Sequence, residues 1–269
     1  MTARRQGESP QHILLLGASG VSGLAFVTEH LSIPATDPAK PFLTLYIRAS
    51  SRSKFTSALP SATTTDIQAS KIRIIEGELT DESAVRTAFS ANGVFPKVTA
   101  VISVLGAYMS LYHFLTRTKP TPIADALKSI VVPTMRAMGV KRILVLSTPS
   151  FQVPGENKQM SWGWYLNGML PVVVLPQGNA EMKGIAHAVM DNSLAKLEQR
   201  EGLEATVFRV PLLTEGSREL EVRAFVLGGT GNTENKTLSR RSMVRWLLKE
   251  LDEKEWIGKS PMLCNLVAQ

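Results

Sequence analysis

One cysteine, Cys264, is all that the 269 residues contain. It excludes a disulfide within the chain and fits a reducing compartment. No run of about 18 apolar residues occurs, which excludes a spanning helix. Residues 1–10 are polar and lack the apolar centre of a signal peptide, so a cytoplasmic location is expected. The four histidines and the cysteine show no metal-ligand spacing, and no metal is expected. The net charge of +7 is not gathered into one basic block. That argues against nucleic acid and for a solvated basic surface with an anionic small ligand. The expected partner is a small-molecule substrate, handled by a monomer or homodimer.

What the chain does contain is alternation. Short β-branched runs at His12–Leu16, Phe42–Ile47, 71–75, 99–104, 142–146 and 205–208 read as strands. They are apolar on both faces, as parallel strands covered by helices must be. Helical spacing lies between them at 20–31, 81–91, 122–138 and 180–200, and Pro133 should bend or interrupt the third of these. Residues 33–41 and 150–179 read as linkers. The pattern predicts an α/β fold, a Rossmann-type doubly wound parallel sheet with its ligand crevice at the strands' carboxyl ends. One domain over 1–269 is expected, with a small C-terminal substrate lobe drawn from about 150–180 and 211–269.

The first strand runs into "LLGASGVSG". Gly17 would let the chain turn sharply, Gly20 would let a pyrophosphate approach the backbone, and Gly23 would let the helix pack closely on the sheet. The helix start offers free N–H groups and a positive dipole end, and Ser19 and Ser22 add hydroxyls. The spacing is G-x-x-G-x-x-G, one residue longer than the usual dinucleotide fingerprint. The second strand ends in "LYIRASSRSKF". It lacks the carboxylate that an NAD ribose requires and offers Arg48, Arg52 and Lys54 among serines. Paired guanidinium donors suit a 2′-phosphate, so NADP(H) is expected over NAD(H).

"LLGASGVSG", "IRASSRSKF", "IIEGELTDESAV", "VISVLGA", "ILVLSTPS" and "TVFRVPLLTEG" follow one another in an order that resembles the atypical short-chain dehydrogenases. The NmrA-like and flavin/biliverdin-reductase-like branch is closest in pattern, from about Ile13 onward. "TLSRRSMVRWLLKELDEKEWIGKSP" resembles the end of small fungal NAD(P)H-binding proteins of that group. The resemblance implies a phosphate loop at Gly17, Ser19, Gly20, Val21 and Gly23, with Arg48, Ser51 and Arg52 around the adenosine phosphate. It implies Glu78 and Leu79 beside adenine, and Leu105, Gly106 and Ala107 beside the ribose. Ser147 and Thr148 would lie near the nicotinamide, with Pro211 and Leu212 against its amide.

The reductive signature of many such enzymes, Tyr-x-x-x-Lys, is absent. Four residues after Tyr46, Tyr108, Tyr112 and Tyr165 stand Ser50, Tyr112, Thr116 and Met169. The chain has instead Asn179-x-x-x-Lys183, as if the tyrosine had become an amide that cannot act as an acid. Lys183 would still hold the ribose. Ser147, Thr148, Tyr165 and Lys183 are the catalytic candidates, with Glu181 and His187 as acid–base candidates on the same helix. Met160, Trp162, Trp164 and Tyr165 would wall a pocket for a flat or hydrophobic ligand. "SRRSMVRW" is a basic helix start, read as a solvated face. Two readings follow. One is an NADP(H)-dependent oxidoreductase that draws its proton from elsewhere, since the cofactor carries the hard chemistry. The other has left redox chemistry, as a cyclase or isomerase of a fungal secondary-metabolite pathway or an NmrA-like nucleotide sensor.

Overall fold

The computed structural model describes residues 11–59, 71–106, 120–151, 176–193, 202–226 and 235–266. The strands are β1 (His12–Leu16), β2 (Phe42–Ile47), β3 (Ile72–Glu76), β4 (Ala100–Ser103), β5 (Arg142–Ser147), β6 (Glu204–Arg209), β7 (Leu212–Thr214), β8 (Val222–Phe225), β9 (Thr237–Ser239) and β10 (Met262–Asn265). The helices are α1 (Val21–Leu31), α2 (Arg52–Ala58), α3 (Glu82–Phe89), α4 (Pro122–Ala126), α5 (Val132–Ala137), α6 (Pro176–Met190) and α7 (Arg240–Glu253).

Eight strands form one sheet in the order β3-β2-β1-β4-β5-β6-β10-β8, and β7 pairs with β9 in a second. All neighbours in the large sheet are parallel except β8, which runs antiparallel to β10. The chain order reverses between β1 and β4, where an open α/β sheet forms its crevice. β1, β4 and β5 are buried along their whole length. Ile13, Leu14, Leu15, Val101, Ile102, Ile143 and Leu144 have no more than trace exposure, each such side chain contributing about 1.5–3 kcal/mol. From the C-terminal segment, β8 and β10 extend the main layer.

Local chemistry sets the helix ends. Asp81 caps α3 by accepting from the amides of Ser83 and Ala84, both at 3.0 Å. That bond to Ala84, first among its causes, holds the Asp81 carboxyl below its ordinary range. Ser239 caps α7, and Lys254 ends it in a left-handed conformation at φ 54°. The helical pattern over 122–138 is split as Pro133 requires: α4 opens into a π turn at Leu127–Val131 before α5 begins. Proline lacks the N–H that would continue the ladder.

The amino ends of the strands carry the buried polar ties. Arg142 donates to Glu250 at 2.6 Å, with both side chains buried, and to Thr206 at 2.8 Å. His12 donates from Nδ1 to the Pro96 carbonyl at 2.6 Å, so its Nε2 accepts from Thr44 at 2.7 Å. His30 donates from Nε2 to the Pro41 carbonyl at 2.8 Å. Burial lowers the pKa of each of these histidines to about 4.

Candidate functional site

Three main-chain bonds line up the strand exits. Gly77 donates to the Ile47 carbonyl at 3.0 Å, Val104 to Leu16 at 3.0 Å, and Val210 to Ser147 at 3.1 Å. Each pair continues a strand register past the sheet, so the loops after β2 and β3, β1 and β4, and β5 and β6 form one row.

The glycines after β1 divide three tasks. Gly17 has φ 87°, and a Cβ on it would stand 3.0 Å from the Leu105 nitrogen. The turn therefore presses directly on the exit of β4, which brings Leu105 and Gly106 beside the loop. A Cβ on Gly23 would overlap the Gly17 carbonyl and stand 2.5 Å from the Ala18 Cα, so α1 packs onto the loop without an intervening side chain. Gly20 is different. It is exposed, extended at φ −79°, and a Cβ there would meet only the Gly17 oxygen at 3.4 Å. It occupies the N-cap of α1 without a capping side chain. A pyrophosphate fits this arrangement: a backbone open to solvent at Gly20 and amides at the start of an 11-residue helix. Val21, 57% exposed, stands beside it, and Ser19 is half-buried.

At the end of β2, Arg48 is half-buried and leads into a 3₁₀ turn at Ala49–Ser51 closed by the Ser51 amide on the Arg48 carbonyl at 2.8 Å. Ser51 is buried at the start of α2. Arg52 is not an uncommitted cation: it donates to Glu76 at 2.9 Å across the ends of β2 and β3. Both groups are more than two-fifths exposed, so the pair is worth little and opens readily. Glu78 is exposed and Leu79 packs against the core. Their turn is held by Tyr46, whose hydroxyl donates to the Glu78 carbonyl at 2.8 Å. Burial pushes that phenol up to about 12, which makes Tyr46 a structural strut rather than an acid.

The candidates after β5 part company. The Ser147 hydroxyl is buried and donates to the Met182 carbonyl at 3.2 Å. That bond ties the strand to α6. Thr148 instead joins a chain of polar groups, Thr148 to Ser150 at 2.8 Å and Ser150 to the Asn179 Oδ1. Lys183 is half-buried one turn beyond Asn179, and no described residue hydrogen-bonds or pairs with its ammonium. Glu181 is buried and accepts from the Ala124 amide at 2.7 Å, capping α4, and burial raises its pKa despite that bond. His187 is exposed, edge-on to Phe151 and 3.8 Å from Asp191. Pro211 is buried beside the β5–β6 exit, and Leu212 is 66% exposed. Ala107, Tyr165 and the aromatic stretch around Trp162 and Trp164 lie outside the described residues.

Sequence reasoning missed two participants. Ser150 links Thr148 to Asn179, and its signal was only the hydroxyl run "STPS". Arg209, fully buried at the end of β6, donates to the carbonyls of Phe151 at 2.8 Å and of Ser260, and so fixes the loop that carries Ser150. The basic start of α7 is neutralised: Arg240 pairs with Glu215 at 2.6 Å, Arg241 with buried Glu29 at 2.5 Å, and Arg245 with Glu219 at 3.0 Å.

The family described as NAD(P)H-binding matches residues 45–254. No curated protein sequence matches the chain. Among solved structures, a wide-type short-chain dehydrogenase/reductase from Veillonella parvula, crystallised with NADP, is similar at a TM-score of 0.64 and 15% identity, covering 95% of each chain. An anaerobillin reductase from Escherichia coli O157:H7 is similar at 0.63 and 14%, covering 96% of this chain and 99% of its own. An oxidoreductase from Lactococcus lactis is similar at 0.57 and 15%, covering 95% and 91%. These likenesses establish the Rossmann-type fold. Among the described residues no helix is long and apolar enough to cross a membrane.

Proposed function

The chain belongs to the NAD(P)H-binding family, and from that premise we propose that it is an NADP(H)-dependent oxidoreductase acting on a small hydrophobic or aromatic compound. The observation that carries the reading is the loop in which Gly17 and Gly23 are closed by backbone while Gly20 is open. Preference for the 2′-phosphate rests on Arg48 and Arg52 at the end of β2. Arg52 would exchange an exposed carboxylate for a phosphate dianion, which binds guanidinium more strongly. One structural relative is a complex with NADP and another is an anaerobillin reductase, and both support the reading.

When bound, NADPH supplies the hydride; the chain's residues supply placement. The loop from Gly17 to Val21 holds the pyrophosphate. Leu105 and Gly106 would border the ribose, and Lys183 would hold its hydroxyls. Pro211 and Leu212 would hold the nicotinamide amide and cover one face of the ring. The acceptor enters over Thr148 and the start of α6. Assignment to the NmrA-like branch and a fungal source belong to the same proposal and rest on the sequence motifs; a cytoplasmic site belongs to it too and rests on the single cysteine. The amide at position 179 favours a second reading, a redox-neutral cyclase or isomerase, or a nucleotide sensor, that binds NADPH without consuming it.

Calorimetric titration of nucleotide-free protein with NADPH and NADH separates these readings when followed by an acceptor screen. Tight NADPH binding, weak NADH binding and NADPH oxidation with quinones, flavins or enones support the oxidoreductase. Binding without oxidation by any acceptor transfers support to the second reading. Absence of binding by either nucleotide overturns both.

A further inference from the structure

The polar chain after β5 has a direction. Ser150 has one proton, and it is donated to the Asn179 Oδ1. Its bond with Thr148 must then run the other way, with Thr148 donating to the Ser150 oxygen. Both hydroxyls point their hydrogens toward Asn179, and the series ends on a carboxamide that neither releases nor takes up a proton near neutrality. Ser147, the remaining hydroxyl at this strand end, is spent on Met182.

The fixed Oδ1 fixes the other half of the amide. Asn179 is buried, only 9% exposed, yet among the described residues nothing accepts from its Nδ2. On the same helix face, one turn on, stands the Lys183 ammonium without a described partner. A neutral N–H donor locked in rotation and a nearby cation make a site that stabilises a developing oxyanion but cannot protonate it.

We infer that Asn179, held by Ser150, is the donor that orients the hydride acceptor, and that the acceptor is a conjugated carbonyl compound such as a quinone or an enone. The inference rests on the oxidoreductase reading. A simple ketone would become an alkoxide, which needs an acid at once. A conjugated acceptor becomes an enolate or a phenolate, stable enough to leave unprotonated, with a phenol's acidity near that of tyrosine, about 10. In the step, a hydride would leave bound NADPH as one C–H bond breaks there, and would form a C–H bond at the conjugated carbon of an enone or an O–H bond at one carbonyl of a quinone. The conjugated π pair moves onto the remaining oxygen as enolate or phenolate, and solvent supplies the proton afterwards. Ser150 is a positioning residue.

The probe is 4-nitrophenol, a flat oxyanion former whose phenolate absorbs visibly. It is titrated into protein loaded with NADP⁺ across a pH series, with menadione reduction measured in parallel. In the wild type the bound phenol should ionise about one pH unit lower than in solution, about tenfold tighter binding of the phenolate. Asn179→Asp keeps the acceptor for Ser150 but loses the N–H donors, and should abolish the displacement and raise the menadione KM. Ser150→Ala, which frees the amide to rotate, should lose part of it while NADPH affinity stays unchanged. An unshifted phenol in the wild type, or the same shift in Asn179→Asp, overturns the inference. Loss of NADPH binding or of menadione reduction in the wild type overturns the oxidoreductase reading instead, so the two failures are distinct.

Discussion

One methyl group, placed at two glycines three residues apart, should act on two different properties. In Gly23→Ala the new carbon would overlap the Gly17 carbonyl and sit 2.5 Å from the Ala18 Cα, roughly 1 Å inside ordinary contact with backbone atoms that cannot rotate away. Helix α1 must retreat from β1, and overpacking of this kind costs about 1–3 kcal/mol. The clash is with backbone, so the upper end applies. Alanine returns about 1 kcal/mol of helix propensity, leaving a net loss of about 2 kcal/mol, or about 4–8 °C in Tm for a chain of this size. In Gly20→Ala the carbon meets a single atom at 3.4 Å, and the backbone angles suit any residue. Only the weaker capping of alanine is lost, up to about 1 kcal/mol. The methyl does occupy the space a pyrophosphate would use, and NADPH affinity should fall about tenfold or more. Thermal melts and calorimetry on both variants decide the matter. A Gly23→Ala protein that melts with the wild type, or a Gly20→Ala protein that binds NADPH as the wild type does, refutes the reasoning.

Three further outcomes are expected. His12 and His30 ionise near 4 when folded and near 6.5 when unfolded, so the unfolded chain takes up more protons between those values. Their stability is complete above about 6.5 and is lost as pH falls, about 1.4 kcal/mol per unit for each histidine and about 4 kcal/mol for both at pH 5. The raised carboxyls of Glu181 and Glu250 act in the opposite sense; urea titrations of wild type against His30→Gln isolate one histidine, and identical pH slopes between 6.5 and 5 would refute its share. Glu250→Ala leaves the buried Arg142 guanidinium and the Trp256 amide without their carboxylate, and should cost about 3–5 kcal/mol in denaturant midpoint at unchanged NADPH affinity. Arg48→Ala combined with Arg52→Ala should weaken NADPH about tenfold or more and leave NADH nearly unchanged; equal losses would remove the 2′-phosphate assignment.

The strands of the main sheet were legible because burial on both faces writes a short, continuous aliphatic run into the sequence. Both ends of β1 and β2 fall where the sequence places them, and β3 to β6 differ by a residue or so at either end. The three-residue strands β7 and β9 are too short to carry a period, and β8 mixes exposures, so none of them could be read. The close packing at Gly17 and Gly23 was legible because glycines at this spacing after a first strand each answer a different steric demand. The fate of Ser147 and Glu181 was not: whether a hydroxyl faces a ligand or a helix carbonyl depends on how α6 settles on β5, and the sequence records no such contact. The pairing of Arg52 with Glu76 was equally hidden, since it joins residues on separate strands.

The placement of β10 has a consequence for how the chain is made. β8 has no described neighbour in the large sheet other than β10, yet it leaves the ribosome well before it. Until residues 258–262 settle beside it, the β6 edge leaves the Ala205 carbonyl and the Val207 and Arg209 amides without their main-chain partners. The nucleotide half of the fold can be assembled while this seam is still open. An open edge of that kind is where a nascent chain is most prone to join another copy. Chaperone dependence and aggregation during expression should therefore follow substitutions in β10 more closely than substitutions in the glycine loop after β1.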